Sequence, residues 1–257
     1  MAGLSVTIIT RDAAATLADA LASVAWADEI VVVDAGSRDE TVALARQYTD
    51  RVATREWRGY GDQKNYAAGL ARHDWILSID ADERVTPELA AEIRALFAAG
   101  DPPCRGYRVP RVSWYLGRWI RGTDWYPDYQ LRLYDRRAGR WNARRVHESV
   151  VVDGPVGTLR AELEHRPYRD IADHLETMQR YAALAAEEML AEGRRAGAVA
   201  LACLPAAAFV RNYVLRRGFA LGVPGLIVSG LNAYYVFLKL ARLWELRRDA
   251  PGGGSHP

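Results

Sequence analysis

The chain has 257 residues, 50% of them hydrophobic and 26% charged, and its 34 basic against 32 acidic residues leave a formal net charge of +2. That profile excludes a disordered chain, and the balanced charge gives no global field to draw nucleic acid, so no nucleic-acid partner is expected. Two cysteines, Cys104 and Cys203, lack the spacing of a zinc site or a disulfide framework, which points to a reducing compartment.

The N-terminus is apolar from Leu4 to Ile9 and turns polar at Thr10-Arg11-Asp12. It lacks the basic start, long apolar stretch and cleavage site of a secretory signal, so the chain is expected to stay in the cytosol. Ser5 to Ile9 reads as a buried strand, Ala14 to Val24 as a helix, Glu29 to Val33 as a second strand, and Thr41 to Tyr48 as a helix started near Ser37. Trp75 to Ile79 is a further strand. Thr86-Pro87-Glu88 supplies a cap and a first-turn proline to a helix running to about Ala98. This alternation predicts βα units on a parallel sheet. From Arg105 to Val152 the pattern changes to short aromatic-rich strands and turns, a mixed-sheet region that would line a cleft.

Ile171 to Glu192 is a charged, Ala-rich helical pattern, after which the chain becomes strongly apolar. Ala196 to Val210 carries no charge, nor does Gly218 to Leu238, a run long enough to cross a bilayer. Gly218, Gly222, Pro224, Gly225 and Asn232 interrupt that run, so an in-plane or re-entrant helix fits better than a span. Arg211 to Arg248 holds seven basic side chains and one acid beside Tyr234, Tyr235 and Trp244, which suits an anionic membrane interface. A buried helical hairpin or a dimer interface is the other reading.

The strongest local signal is Ile76-Leu77-Ser78-Ile79-Asp80-Ala81-Asp82-Glu83, an apolar strand ending in two carboxylates. Residues i and i+2 of an extended segment point the same way, so Asp80 and Asp82 can approach one hard divalent cation or a metal-bound diphosphate. The same triplet also suits a solvated turn. Its place between a buried strand and a capped helix favours the ligand site, because such sites lie at strand ends of open α/β sheets. The earlier strand likewise ends in Asp34-Ala35-Gly36-Ser37.

Between them, Gly59-Tyr60-Gly61-Asp62-Gln63-Lys64-Asn65 departs from a dinucleotide fingerprint, since Lys64 stands where the third glycine belongs. Lys64 and Lys239 are the only lysines, which makes Lys64 an informative cation. Two glycines at a helix start followed by Lys64 would present N–H groups and a charge to phosphate oxygens; a glycine-flanked helix cap with a surface lysine is the alternative.

Val6 to Thr10, Trp26-Ala27-Asp28-Glu29 into Val33 to Ser37, Glu56-Trp57 through Lys64-Asn65, and Asp80 to Arg84 resemble an inverting family 2 glycosyltransferase of GT-A fold. More narrowly, Gly117 to Trp125, Arg132-Leu133, Val146-His147-Glu148 and Arg217 to Trp244 resemble the bacterial lipopolysaccharide-core β-1,4-glucosyltransferase group. The resemblance implies an α/β, Rossmann-like nucleotide-diphospho-sugar transferase domain over 1–168, with a nucleotide half at 1–100 and an acceptor half at 101–168. A helical, membrane-associating extension over 169–250 and a disordered tail over 251–257 would follow. It implies transfer of a sugar, glucose by expectation, from a UDP-sugar to a lipid-linked or lipopolysaccharide-core saccharide on the inner face of the cytoplasmic membrane.

On this resemblance Asp34, with Gly36 in its loop, contacts the uracil or ribose. Thr10, Arg11 and Asp12 form the first loop, although related enzymes carry Asn-Glu where Asp12-Ala13 stands. Asp80 and Asp82 hold the ribose and a Mn²⁺ or Mg²⁺ ion, with Asp82 the more direct ligand and His147 a further candidate. Lys64 and Arg132 offset leaving-group charge, and Glu148 is the general base for the acceptor hydroxyl. Trp114, Trp119, Arg121 and Trp125 are acceptor candidates, because aromatic faces suit sugar rings and arginine forks suit phosphates; core or membrane-interface packing is the alternative. Two further readings are a sugar-phosphate nucleotidyltransferase, whose glycine-rich N-terminal phosphate loop is missing, and a non-catalytic carbohydrate- or lipid-binding scaffold.

Overall fold

A computed structural model describes residues 3–142 and 148–249. The first strands are β1 (Leu4–Thr10), β2 (Glu29–Asp34), β3 (Val52–Thr54), β4 (Trp75–Asp80) and β5 (Glu83–Val85), interleaved with α1 (Ala14–Ser23), α2 (Thr41–Ala45), α3 (Tyr60–Leu70) and α4 (Pro87–Ala98). There follow β6 (Gly106–Tyr115), β7 (Arg118–Ile120), β8 (Asp128–Asp135), β9 (Gly139–Trp141), β10 (Val150–Val152), β11 (Val156–Thr158) and β12 (Leu163–His165). The helices α5 (Ile171–Ala191), α6 (Ala198–Val210) and α7 (Gly222–Asp249) end the described chain.

The chain divides into two compact units, one of residues 1–112 and 128–166, the other of 113–127 and 167–257. The sequence reading cut the chain at 168 and assigned 113–127 to the catalytic half. The structure groups that excursion with the helices, because Tyr115, Ile120, Leu221 and Val228 form one apolar cluster.

The sheet runs β3-β2-β1-β4-β8-β6-β12-β5, with β7 and β11 also paired to β6, while β9 and β10 form a separate hairpin. β1, β2, β3 and β4 are parallel, and β8 runs antiparallel to β4. All seven residues of β1 are buried, as expected of a central strand covered on both faces. Its register sets Thr10 against Asp34 of β2, and Ile9 against Asp80 of β4. Two acidic strand ends therefore flank the end of β1 along one edge.

On one face Val6, Ile8, Leu17, Leu21, Leu77 and Ile93 pack into the main core. Ile76, Tyr134, Trp141 and Val150 pack into a second cluster. α4 begins as expected: the Thr86 hydroxyl accepts from the Leu89 N–H at 3.1 Å, and Pro87 opens the helix. α2 starts at Thr41 as expected and ends at Ala45, short of Tyr48; the Ser37 hydroxyl donates to Asp34 instead of capping the helix.

In the second unit Asp170 caps α5 by accepting from the Asp173 N–H at 2.9 Å. Ala186 and Met189 of α5 pack on Leu240 and Leu243 of α7. Between α6 and α7 the chain makes a π-helical turn (Arg211–Leu215) and a 3₁₀ turn (Gly218–Leu221). Gly218 is required there: a Cβ would press on the Asn212 carbonyl and the Ser229 hydroxyl.

Candidate active site

Asp34 ends β2 and turns its carboxylate into its own loop. It accepts from the Gly36 N–H at 2.8 Å, the Ser37 N–H at 2.9 Å and the Ser37 hydroxyl. Gly36 takes a φ of 83°, a left-handed value that other residues adopt only under strain. Asp12 locks the neighbouring loop, donating its N–H to Ser37 Oγ at 2.8 Å and accepting from the Arg38 N–H at 2.7 Å. Arg11 is exposed and pairs only loosely with Asp12, at 3.8 Å. Thr10 Oγ1 is buried without a hydrogen-bond partner among the described residues. These residues thus form one organised rim at the ends of β1 and β2.

At the end of β4 the acids and bases alternate in a chain. Glu148 Oε1 lies 3.2 Å from Lys64 Nζ, which lies 2.9 Å from Asp80 Oδ1. Asp80 Oδ2 accepts from Arg132 at 2.6 Å, Arg132 reaches Glu83 Oε1 at 2.5 Å, and Arg111 joins Glu83 at 2.9 Å to Asp128 at 2.7 Å. Lys64, Arg132 and Glu83 are buried. The indole of Trp141 lies 4.2 Å from Lys64 Nζ and 5.8 Å from the Arg132 guanidinium, a face that favours cations.

Burial alone would raise the pKa of Asp80. Arg132 and Lys64, helped by Arg111, overcome that cost and hold its carboxyl far below the usual carboxylate range. Burial likewise works against the charge of Arg132, but Asp80 and Glu83 raise its pKa further. Glu83 also accepts from the Asp80 N–H at 2.9 Å and so closes the turn behind the strand.

Lys64 and the two glycines, expected to face phosphate, belong to a tightly packed helix start. Gly59, at a φ of 110°, starts α3. Gly61 has no room for a Cβ, because the Asn142 carbonyl oxygen occupies that place. Asn65 clasps Trp141 from both sides, donating to its carbonyl and accepting from its N–H at 2.9 Å each. α3 therefore grips the strand that leads towards Glu148, and the neck of that loop closes by Asn142 bonding Ser149. His147 lies outside the described residues.

Asp82 stands apart from the ion chain, its carboxylate 3.4 Å from His165 Nε2. The contact arises because β12 pairs antiparallel with β5, setting His165 opposite Glu83, and the Arg166 N–H donates to the Asp82 carbonyl. Among the described residues no three His, Cys, Asp or Glu side chains gather as a metal site. The protein thus sets one carboxylate oxygen and one imidazole nitrogen side by side at Asp82, of which the carboxylate is the donor suited to a hard cation.

The acceptor candidates belong to the other unit. Trp114 and Trp119 pair across the β6–β7 hairpin with ring centroids 5.1 Å apart. Trp125 packs with Tyr115, Tyr168 and His174, so its ring helps build that unit, and Arg121 is exposed. Sequence reading missed Glu83, Trp141 and His165. Glu83 was within reach as the residue closing the acidic strand end. A separate depression of about 420 Å³ touches Gly3 and Trp75, at the opposite ends of β1 and β4.

An open sheet with acidic side chains along the ends of its parallel strands is an α/β ligand-binding architecture, here of GT-A type. Residues 5–156 match the model of glycosyl transferase family 2, and the chain belongs to that family. It is 32% identical to the lipopolysaccharide core biosynthesis glycosyltransferase LpsC of Rhizobium meliloti, over 94% of this chain and 92% of the relative. It is 30% identical to an uncharacterized glycosyltransferase of Rickettsia bellii, over 95% and 86%. The structure of S. aureus TarS in complex with UDP has a TM-score of 0.48 at 14% identity, over 97% of this chain and 92% of that one. The chain is a glycosyltransferase, and the nucleotidyltransferase and scaffold readings fall with that assignment.

Proposed function

We propose that the enzyme transfers glucose from UDP-glucose to a lipid-linked or lipopolysaccharide-core saccharide, with inversion by single displacement. The observation that carries the reading is the bridge Asp80–Lys64–Glu148, which ties the acidic end of β4 to a second carboxylate eighty-four residues from Lys64. In this reading Asp34, Gly36 and the loop Thr10-Arg11-Asp12 receive the nucleoside, and Asp80 receives the ribose. Lys64 and Arg132 act first on Asp80, keeping it ionised and fixed. Asp82 and His165 would hold a Mn²⁺ or Mg²⁺ ion, which when bound supplies positive charge to the departing diphosphate.

Glu148 takes the proton of the acceptor hydroxyl. A lone pair of the acceptor oxygen forms the new C–O bond while its O–H pair stays on that oxygen, and the bond from the anomeric carbon to the phosphate oxygen breaks with its pair leaving on the UDP. Lys64 limits the freedom of Glu148 before the acceptor arrives. Trp114, Trp119 and Arg121 are proposed to meet the saccharide, while Trp125 packs on Tyr115, Tyr168 and His174.

The membrane partner belongs to the same proposal. Two segments, Ala198–Leu215 and Gly218–Asp249, are long and apolar enough to cross a membrane by length and composition. We assign them to attachment at an anionic cytoplasmic membrane surface, near a lipid-borne acceptor.

The test is a screen of UDP-, GDP- and dTDP-sugars against lipopolysaccharide-core and polyprenyl-linked acceptors, with the anomeric configuration of the product read by NMR. Product of β configuration from UDP-glucose is expected, and a retained α configuration would sink the mechanism. Calorimetry on Asp82→Ala should show metal-dependent UDP-glucose binding lost in a folded protein; full affinity in the variant, or in wild type with chelator, removes the metal role.

A further inference from the structure

We infer that the helical unit lies in the plane of an anionic bilayer, with α6 and the exposed face of α7 in the interface, neither spanning the membrane nor dipping through it. This refines the attachment proposed above by fixing its geometry. α6 has no charge along its length, and its side chains are largely open, with Val199 at 76% exposure and Leu204 and Val210 about half exposed. On α7, Val223, Leu226, Tyr234, Phe237 and Trp244 recur on one exposed face, while Val228, Leu240 and Leu243 are buried. So much contiguous exposed apolar surface calls for an apolar partner.

Polar groups in the same unit decide the geometry. Asn232, near the middle of the second candidate span, donates to the Asp124 carboxylate at 3.3 Å, and Asn212 donates to it at 2.9 Å. Arg211 pairs with the same carboxylate. In a spanning α7 this ionic group would sit near the centre of the hydrocarbon, where charges are most costly.

A dip through the bilayer would lead with the elbow between α6 and α7, which carries Arg211, Arg216 and Arg217. Arg194 and Arg195 precede α6, and Arg247 and Arg248 end α7. Over residues 193–249 the chain has nine basic and two acidic side chains. Cations at both ends of both helices can all reach the headgroups of one leaflet only if the helices lie parallel to its surface. Their sign selects anionic phospholipid as the partner.

The experiment uses the full chain with Cys104→Ser and Cys203→Ser, and vesicles of phosphatidylcholine with or without phosphatidylglycerol. Fluorescent probes are attached singly at Leu204→Cys, Phe219→Cys and Phe237→Cys, and depth is read with lipids brominated at different acyl positions. Binding to the anionic vesicles with all three probes at one shallow depth is expected. A deeper Phe219 probe would establish a dip. Opposite-side access of an impermeant thiol reagent to Val223→Cys and Trp244→Cys would establish a span. Either overturns the inference and leaves attachment standing, whereas no binding to anionic vesicles overturns both.

Arg216→Gln with Arg217→Gln should weaken binding to anionic vesicles about thirty-fold. Unchanged binding would remove the headgroup role. Should that pair fail to fold, Arg247→Gln with Arg248→Gln poses the same question at the far end. None of these measurements involves sugar transfer, so the catalytic proposal fails or survives separately.

Discussion

The two units break the rule of apolar inside and polar outside in opposite ways. The sheet unit buries charge: Lys64, Arg132 and Glu83 are covered, and each is matched by partners of opposite sign. The helical unit exposes apolar residues: Val199, Leu215 and Val223 stand in the open. A buried charge network costs desolvation energy and adds little net stability, so its value lies in fixing orientation. An exposed apolar helix costs nothing once lipid covers it. Chemistry is therefore sought where charge is buried, and attachment where apolar surface is not.

The sharpest way to break this contrast is to remove the central cation. Lys64→Met leaves Asp80 and Glu148 facing each other without their shared partner, and should cost about 3–5 kcal/mol in chemical denaturation. An exposed pair in the helical unit, Arg169 with Asp173 at 3.5 Å, gives the control: Arg169→Met should change stability by less than about 0.5 kcal/mol. Equal losses in the two variants would deny the sheet unit its special network. The sign of the acid response follows from Asp80. Its pKa is lowered by Arg132 and Lys64, so its contribution is present above the ordinary value of 3.8 and is lost only in strong acid. In Lys64→Met the acid transition should move to higher pH.

Glu148→Gln keeps the shape of the side chain and removes the proton acceptor. Transfer should fall by roughly 10²-fold or more while UDP-sugar binding persists. Near-normal turnover would move the role of base elsewhere, with Asp128 and Asp124 next to test. The loss on Lys64→Met is one of stability, and that on Glu148→Gln is one of rate.

How far the sequence reveals this arrangement depends on separation along the chain. The βα units, the Thr86–Pro87 helix start and the acidic end of β4 are local patterns, and they are legible. Glu148 was reached through family resemblance rather than through spacing. His165 beside Asp82 was missed because β5 and β12 are three residues long, too short to show periodicity, and their pairing joins segments about eighty residues apart. Trp141 was missed because its contact with Lys64 depends on how α3 grips β9. The excursion 113–127 read as part of the acceptor half because strand patterns do not reveal which core a hairpin joins.

That grip can be tested directly. Gly61→Ala places a methyl where the Asn142 carbonyl oxygen lies, so α3 and the Trp141–Asn142 strand must separate. Overpacking of this kind costs about 1–3 kcal/mol. Here it should also lower transfer, since the displaced strand leads to Glu148. Stability lost with turnover unchanged would show that the clasp serves folding alone. Gly69→Ala, on the same helix with open space around it, should be neutral or slightly stabilising.

The smallest effect concerns the helical unit, where one titratable ring lies inside an apolar cluster. His174 is buried, stacked on Tyr168 at 4.1 Å, with Nδ1 3.0 Å from the Tyr115 hydroxyl. Burial pushes its pKa down to about 4, with Asp173 opposing only weakly. The folded state thus keeps the ring neutral while the unfolded chain protonates near 6.5. Stability is complete above pH 6.5 and declines as pH falls towards 4, by roughly 1 kcal/mol near pH 5.5. His174→Asn keeps a polar atom towards Tyr115 and removes the titration, so its urea midpoint should lose that slope. If wild type and variant kept the same slope between pH 7 and 5, the acid sensitivity would belong to the sheet unit, and the two regions would no longer differ in how they answer to pH.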